Sequence, residues 1–226
     1  MRLAKPHLDL GLFTADLAAH RHFWGEDIGL RLDHELPFDA HWVQHRYDAH
    51  GSVIKVNHYL HPMPEVPPSG LVGLTIAREG AAPREARTPG GEWVRLVPPG
   101  TDGVVRIGIT VRTAEPARML DFYLGALEFE AAGPSAARCG DTLLFVERGP
   151  GGSTTPEFMG PGYRYLTIQI FDADAEMAAV VGRGARLGRA PVNFGTVARY
   201  GFVLDPDGNW IELSARTSLT GVAPPA

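Results

Sequence analysis

The stretch GFVLDPDGNWIEL, residues 201–213, decides how the chain is read. It places an Asp-Pro-Asp-Gly turn between two strand-like runs and closes on one carboxylate, Glu212, in an alternating segment. TPGGEWVRLVPP (88–99) can be laid on DPDGNWIELSAR (205–216), turn on turn and Trp on Trp. DLGLFTADLAAHRHFW (9–24) pairs in the same way with RIGITVRTAEPARMLDFY (106–123), and GLVGLTIARE (70–79) with GYRYLTIQIF (162–171). Self-similarity of this kind marks a tandem duplication with a period of about a hundred residues. Each half divides again into two smaller units.

Within a unit the order is strand, helix, then several strands. HLDLGLFT is short and β-capable, and DLAAHRHFWGEDIG opens on an acidic residue with apolar side chains at helical spacing before Gly29. LRLDHEL, HWVQHRYD and SVIKVNHYL then alternate, the last two joined by the hairpin-length linker DAHG. The third unit (104–148) and the fourth repeat the order, and Gly184 in GRGAR reads as a helix C-cap. The second unit is shorter and lacks room for its helix. Proline-rich HPMPEVPPSG (61–70) and LVPPGTDG (96–103) separate the units, since proline removes a ladder donor. The expected architecture is α+β, with tandem βαβββ units forming two cups, an N-terminal domain over 1–100 and a C-terminal domain over 101–226.

Composition narrows the partner. The chain has 226 residues, 44% of them hydrophobic, and a formal charge of −5 with no basic run. That pattern excludes the electrostatic footprint of a nucleic-acid or anionic-membrane binder. No apolar run approaches the ~20 residues that span a bilayer, and MRLAKPHLDLGLF lacks a signal-peptide pattern, so a cytoplasmic location is expected. The single cysteine, Cys139, has no internal partner for a disulfide. Only two lysines, Lys5 and Lys55, stand against nineteen arginines, and all nine histidines lie between His7 and His61. No P-loop, dinucleotide fingerprint, nucleophile elbow or CxxC zinc pattern is present.

The βαβββ units occurring in pairs, LDFYLGALEFE after the third unit's helix and DPDGNWIEL closing the last unit together resemble the vicinal oxygen chelate superfamily of glyoxalases, bleomycin-resistance proteins and extradiol dioxygenases. The resemblance implies that two units curl into a cup whose inward side chains can hold a divalent metal on His, Gln or Glu. Carried over residue by residue, the C-terminal positions are Arg106, Leu144, Tyr165 and Glu212, and the N-terminal ones are Asp9, Lys55, Gly73 and Arg95. In the C-terminal set only Glu212 suits a cation, and in the N-terminal set charged Lys55 and Arg95 repel one. No resident metal is therefore expected. Arg106 is expected to take the cation's place against Glu212 through a charge-assisted pair, with Tyr165 and Tyr200 adding hydroxyls.

The N-terminal cup carries the richer chemistry in this reading. Val53, Lys55 and Asn57 share one face of their strand, and His45 or its neighbours Gln44 and Arg46 should face it across the hairpin. His45 and Lys55 are the acid/base candidates, with Asp9, Asn57 and Arg95 orienting a carbonyl-bearing or anionic ligand. The leading expectation is a metal-independent lyase or isomerase acting on a small molecule. One alternative is a non-catalytic drug-binding protein with an aromatic groove containing Trp42, Trp93, Trp210 and Phe194. Another is a metal-dependent dioxygenase or lyase using Fe, Mn, Zn or Ni on ligands from both halves, such as Glu212 with His45. A homodimer through sheet edges is compatible with each.

Overall fold

The computed structural model describes residues 1–152 and 157–225. The first unit contains β1 (Leu3–Thr14), α1 (Leu17–His22), β2 (Arg31–Pro37), β3 (Trp42–Ala49) and β4 (Ser52–Tyr59). Asp16 starts α1 as the sequence suggests, its carboxylate accepting the Ala19 amide at 3.0 Å. The second unit has β5 (Leu71–Ala77), β6 (Arg84–Arg87) and β7 (Trp93–Val97), with a short turn-containing connection in place of a helix. The third unit is β8 (Ile107–Thr113), α2 (Pro116–Gly125), β9 (Glu130–Ala131), β10 (Ala136–Cys139) and β11 (Thr142–Arg148). The fourth is β12 (Gly162–Ile170), α3 (Ala173–Gly182), β13 (Arg186–Phe194), β14 (Ala198–Leu204) and β15 (Trp210–Arg216). Gly184, just past α3, has φ +102°, as a C-terminal cap requires.

The units pair across the two halves of the chain. One sheet has the order β13-β14-β15-β12-β1-β4-β3-β2 and joins the fourth unit to the first. The other, β6-β7-β5-β8-β11-β10-β9, joins the second to the third. The expectation of one cup in residues 1–100 and one in 101–226 is corrected here. Each cup takes one unit from each half, because the first strands form the seams: β1 lies antiparallel to β12, and β5 antiparallel to β8.

Alternation decides which side chains enter the cup of the larger sheet. Leu10 and Leu12 on β1, Ile54 and Val56 on β4, Leu166 and Ile168 on β12, and Ile211 and Leu213 on β15 all join one core. Trp24 just after α1, Met119 and Tyr123 from α2, and Met177 and Val180 from α3 complete that core together with Leu74, Ile76 and Ile109 of the smaller sheet. The intervening residues of the larger sheet face the cup, and on the central strands they are also buried, so β12 is buried along its whole length with an apolar and a polar face. This departs from the usual polar-out strand and leaves a buried polar face that must be satisfied internally.

One close approach shapes the cup. Gly11 pairs with both Lys55 and Tyr165, and a Cβ there would lie 2.1 Å from the Tyr165 ring. Absence of a side chain on β1 is what lets the phenol cross that strand towards β4. In the smaller sheet the Trp93 ring lies over Gly73 and the Phe145 ring over Gly108, so aromatic rings occupy its inner face. Gly11→Ala is expected to destabilise the protein by about 1–3 kcal/mol, the usual cost of overpacking. Urea melts check this, and an unchanged midpoint would show that Tyr165 does not lie across β1.

Candidate functional site

The inner face of the larger sheet holds a connected polar network at its centre. Lys55 on β4 donates to Thr167 Oγ1 at 2.6 Å and to Glu212 Oε2 at 2.9 Å, and Thr167 donates to the same Glu212 oxygen at 2.6 Å. Thr167 is the register partner of Glu212 on one side and of Asp9 on the other, so the sheet itself sets this spacing. Glu212 Oε1 has no hydrogen-bond partner among the described residues. Nearer β3, Gln44 donates to Asn57 Oδ1 at 2.8 Å, Asn57 donates to Leu12 O at 2.8 Å, and Asn57 Nδ2 lies 3.1 Å from the Tyr165 hydroxyl. Arg46 donates to Gln44 Oε1.

Asp9 lies below this network and is fully buried. It accepts from Lys5 at 2.5 Å, from the Val53 amide at 2.9 Å and from Gln169 at 3.3 Å. Burial pushes its carboxyl up, but Lys5, Lys55 and Arg46 together outweigh that and hold it below the usual carboxylate range. Burial pushes the Lys55 ammonium down, opposed by Glu212 and Asp9. Burial, then the nearby Glu212 charge, drives the Tyr165 phenol well up, so it stays protonated as a donor or acceptor.

Above the network opens a cavity that is partly exposed to solvent. Phe38 stacks on Trp42 with ring centroids 4.1 Å apart and on Phe194 at 4.6 Å, which brings the β2–β3 loop against the end of β13. Phe158 packs edge-on against Phe13 and tilted against Tyr165 and Phe202. Arg189 lies over the Phe158 and Phe202 rings at 5.9 and 5.7 Å. Tyr200, Ser214, Arg46 and Arg216 complete the wall around Lys55 and Glu212.

The structure brings together six of the nine residues singled out from the sequence. Lys55, Asn57, Tyr165, Tyr200 and Glu212 are in the cup, with Asp9 beneath it. Three are corrected. His45 is on the opposite face of β3, beside Tyr47 of the core, with Nδ1 3.0 Å from Glu35 Oε1; burial above all holds its pKa down. Strand parity gives the physical reason, because Gln44 and Arg46 take the inward positions. Arg95 belongs to the smaller sheet, paired to Asp102 at 3.3 Å and near Glu85. Arg106 sits just before β8, bonded to Asp141 at 2.7 Å and to the His50 carbonyl, far from the expected Glu212 pair. Trp42 and Phe194 line the cavity as the aromatic-groove alternative expects, Trp210 packs beneath it, and Trp93 lies in the other sheet.

Thr167, Gln169, Arg189 and Arg216 also face the site without having been singled out. Thr167 and Gln169 were recoverable, since they continue the period-2 series from Tyr165 along β12.

A divalent cation suits this centre poorly. Among the described residues Glu212 is the one carboxylate lining the cavity, and the Lys55 ammonium already lies against it. Among the described residues no group of three or more His, Cys, Asp or Glu could hold a metal ion.

The family model described as Glyoxalase/Bleomycin resistance protein/Dioxygenase superfamily matches residues 104–213. Over those residues, just under half of the chain, the sequence is similar to this superfamily. The matched segment is the third and fourth units, one in each sheet. Glyoxalase I from Zea mays is similar over 97% of this chain and 94% of its own, with a TM-score of 0.71 and 14% identity, which is a likeness of fold. An antibiotic-binding protein from a Streptomyces species aligns over 47% of this chain and 90% of its own, with 26% identity and a TM-score of 0.36. No curated protein matches the sequence. No described helix is long and apolar enough to cross a membrane.

Two outcomes test the network. Lys55→Ala leaves Glu212 without its ammonium and is expected to cost about 3–5 kcal/mol, whereas Lys55→Met combined with Glu212→Gln should recover much of it. Equal losses in urea melts of both variants would contradict the pairing. For Asp9 the folded carboxyl titrates below the ordinary aspartate value of 3.8, so its stabilisation is present above that pH and lost as pH falls through the lower folded value. Asp9→Asn should therefore flatten the acid limb of stability against pH below about 4; an unchanged limb would contradict the assignment.

Proposed function

We propose that the protein takes up a small organic molecule in the cup of the larger sheet and holds it without a divalent cation at Glu212. The observation that carries this reading is the Lys55 ammonium bonded to Glu212 and Thr167 at the centre of the cup. An internal cation there neutralises the carboxylate and braces two units, work a metal would otherwise do. Concavity, aromatic walls and a few convergent polar groups above it are the usual attributes of a small-molecule site.

Binding is favoured over acid/base chemistry by the position of His45, the expected proton carrier, on the wrong face of β3. A proton-transfer lyase or isomerase remains the second reading, supported by Glu212 Oε1, an oxygen without a protein partner among the described residues on a residue that lines the cavity. In that case Glu212 would be the base, and Lys55 and Thr167 would position it through Oε2.

Ala198 lines the cavity with a small side chain, so Ala198→Phe fills the cup from β14. Ligand-observed NMR screening of small organic molecules is expected to find binders whose signals are lost with Ala198→Phe, while the far-UV spectrum stays unchanged. Binders unaffected by that substitution would place the site elsewhere. For the second reading, carbon-bound deuterium exchange in a bound carbonyl compound should depend on Glu212 and vanish with Glu212→Gln at retained affinity.

A further inference from the structure

The charges lining the cup do not balance. Among the described residues Arg46, Lys55, Arg189 and Arg216 line it, against the single carboxylate of Glu212, which is already bonded to Lys55. None of the three arginines has a carboxylate within ion-pair distance among the described residues, although the same structure ties Arg112, Arg183 and Arg199 to acidic partners elsewhere. Asp9 lies underneath, engaged by Lys5. Asp33 on β2 acts on Arg46 and Arg216 only from a distance, being exposed and held by His34 at 2.8 Å.

Arg46 is the most telling of the three. Its residue is 5% exposed, and its Nε is buried without a hydrogen-bond partner. A buried guanidinium with an unsatisfied donor is costly unless something completes it. Arg216 stands close enough for the two like charges to repel, and both point their surface to the same cavity. Two guanidiniums, one from the first unit and one from the fourth, thus present donors of the planar kind that match carboxylate and phosphate oxygens.

The remaining wall is aromatic and flat. Phe38 and Trp42 are inclined by 20° to each other, and Phe38 and Phe194 by 27°, so three rings form a near-parallel stack at the cavity edge. Arg189 covers two further rings and adds a cationic surface against which a π-system can lie.

We propose, resting on the reading of this cup as a small-molecule site, that its ligand is a planar aromatic molecule bearing an anionic group, with the anion at Arg46 and Arg216 and the rings against the Phe38–Trp42–Phe194 stack. The anion meets the guanidinium surfaces that Arg46 and Arg216 turn to the cavity and relieves the repulsion between them. A cationic aromatic of the same shape would meet three positive charges.

Isothermal titration of the full chain with three matched probes, 2-naphthoate, 2-naphthamide and 2-naphthylmethylammonium, separates the claims. Naphthoate is expected to bind at least tenfold more tightly than the neutral amide, and the cation more weakly than both. Arg216→Gln should lower naphthoate affinity about tenfold and leave the amide unchanged; Arg189→Gln, checked in parallel, covers the case in which Arg216→Gln fails to fold, and should weaken naphthoate more than the amide. Equal binding of all three probes, lost with Ala198→Phe, would overturn the anion preference and leave the cup as a site. Binding of none up to millimolar concentration would overturn both.

Discussion

The contact between the Lys55 ammonium and the Glu212 carboxylate is the constraint from which the rest of the larger sheet takes its form. These residues are 157 positions apart, on β4 and β15, with β1 and β12 between them. Burial of either charge alone would be strongly unfavourable, and their pairing holds only where geometry is good and a further donor satisfies the carboxylate. Thr167 is that donor, placed by its register with Glu212. The pair therefore selects the partnership of the first and fourth units over the alternative in which each half of the chain closes on itself.

The two sheets differ in what they place inside. In the smaller sheet, glycines on the first strands admit the rings of Trp93 and Phe145, and the inner face is occupied by aromatic bulk. In the larger sheet a single glycine, Gly11, admits the Tyr165 phenol, whose hydroxyl meets Asn57 and Gln44. That hydroxyl keeps the centre polar, and the polar centre is buried on a strand whose other face is core. A cup built in this way has its polar groups fixed by the fold, which would reduce the ordering cost of binding there.

Local order was legible in the sequence. The repeat gave the four units, the abbreviated second unit and the Asp16 and Gly184 caps, because turn chemistry and period-2 alternation are local properties. The family resemblance placed Lys55, Tyr165 and Glu212 inward, and alternation along β4 added Asn57. Pairing of units was not legible, since β1 and β12 meet only in the folded chain and no local signal encodes that seam. Arg106 and Arg95 were misplaced for this reason. His45 was misplaced by one residue of parity, with Gln44 and Arg46 on the inward side, and a shift of one residue along a strand changes the face. A test of complementarity would have helped: the inward Lys55 of the first unit finds its carboxylate only in the fourth.

The account turns on an ammonium standing where a metal ion would otherwise hold the cup together. Anomalous scattering from crystals grown with excess Mn²⁺ or Ni²⁺ tests this most directly, because it locates the ion independently of any activity. The expected result is no anomalous peak at Glu212, with the Lys55 Nζ density in hydrogen-bond contact with Glu212 and Thr167. A peak within coordination distance of Glu212, with the Lys55 side chain turned out of the cup, would contradict the account.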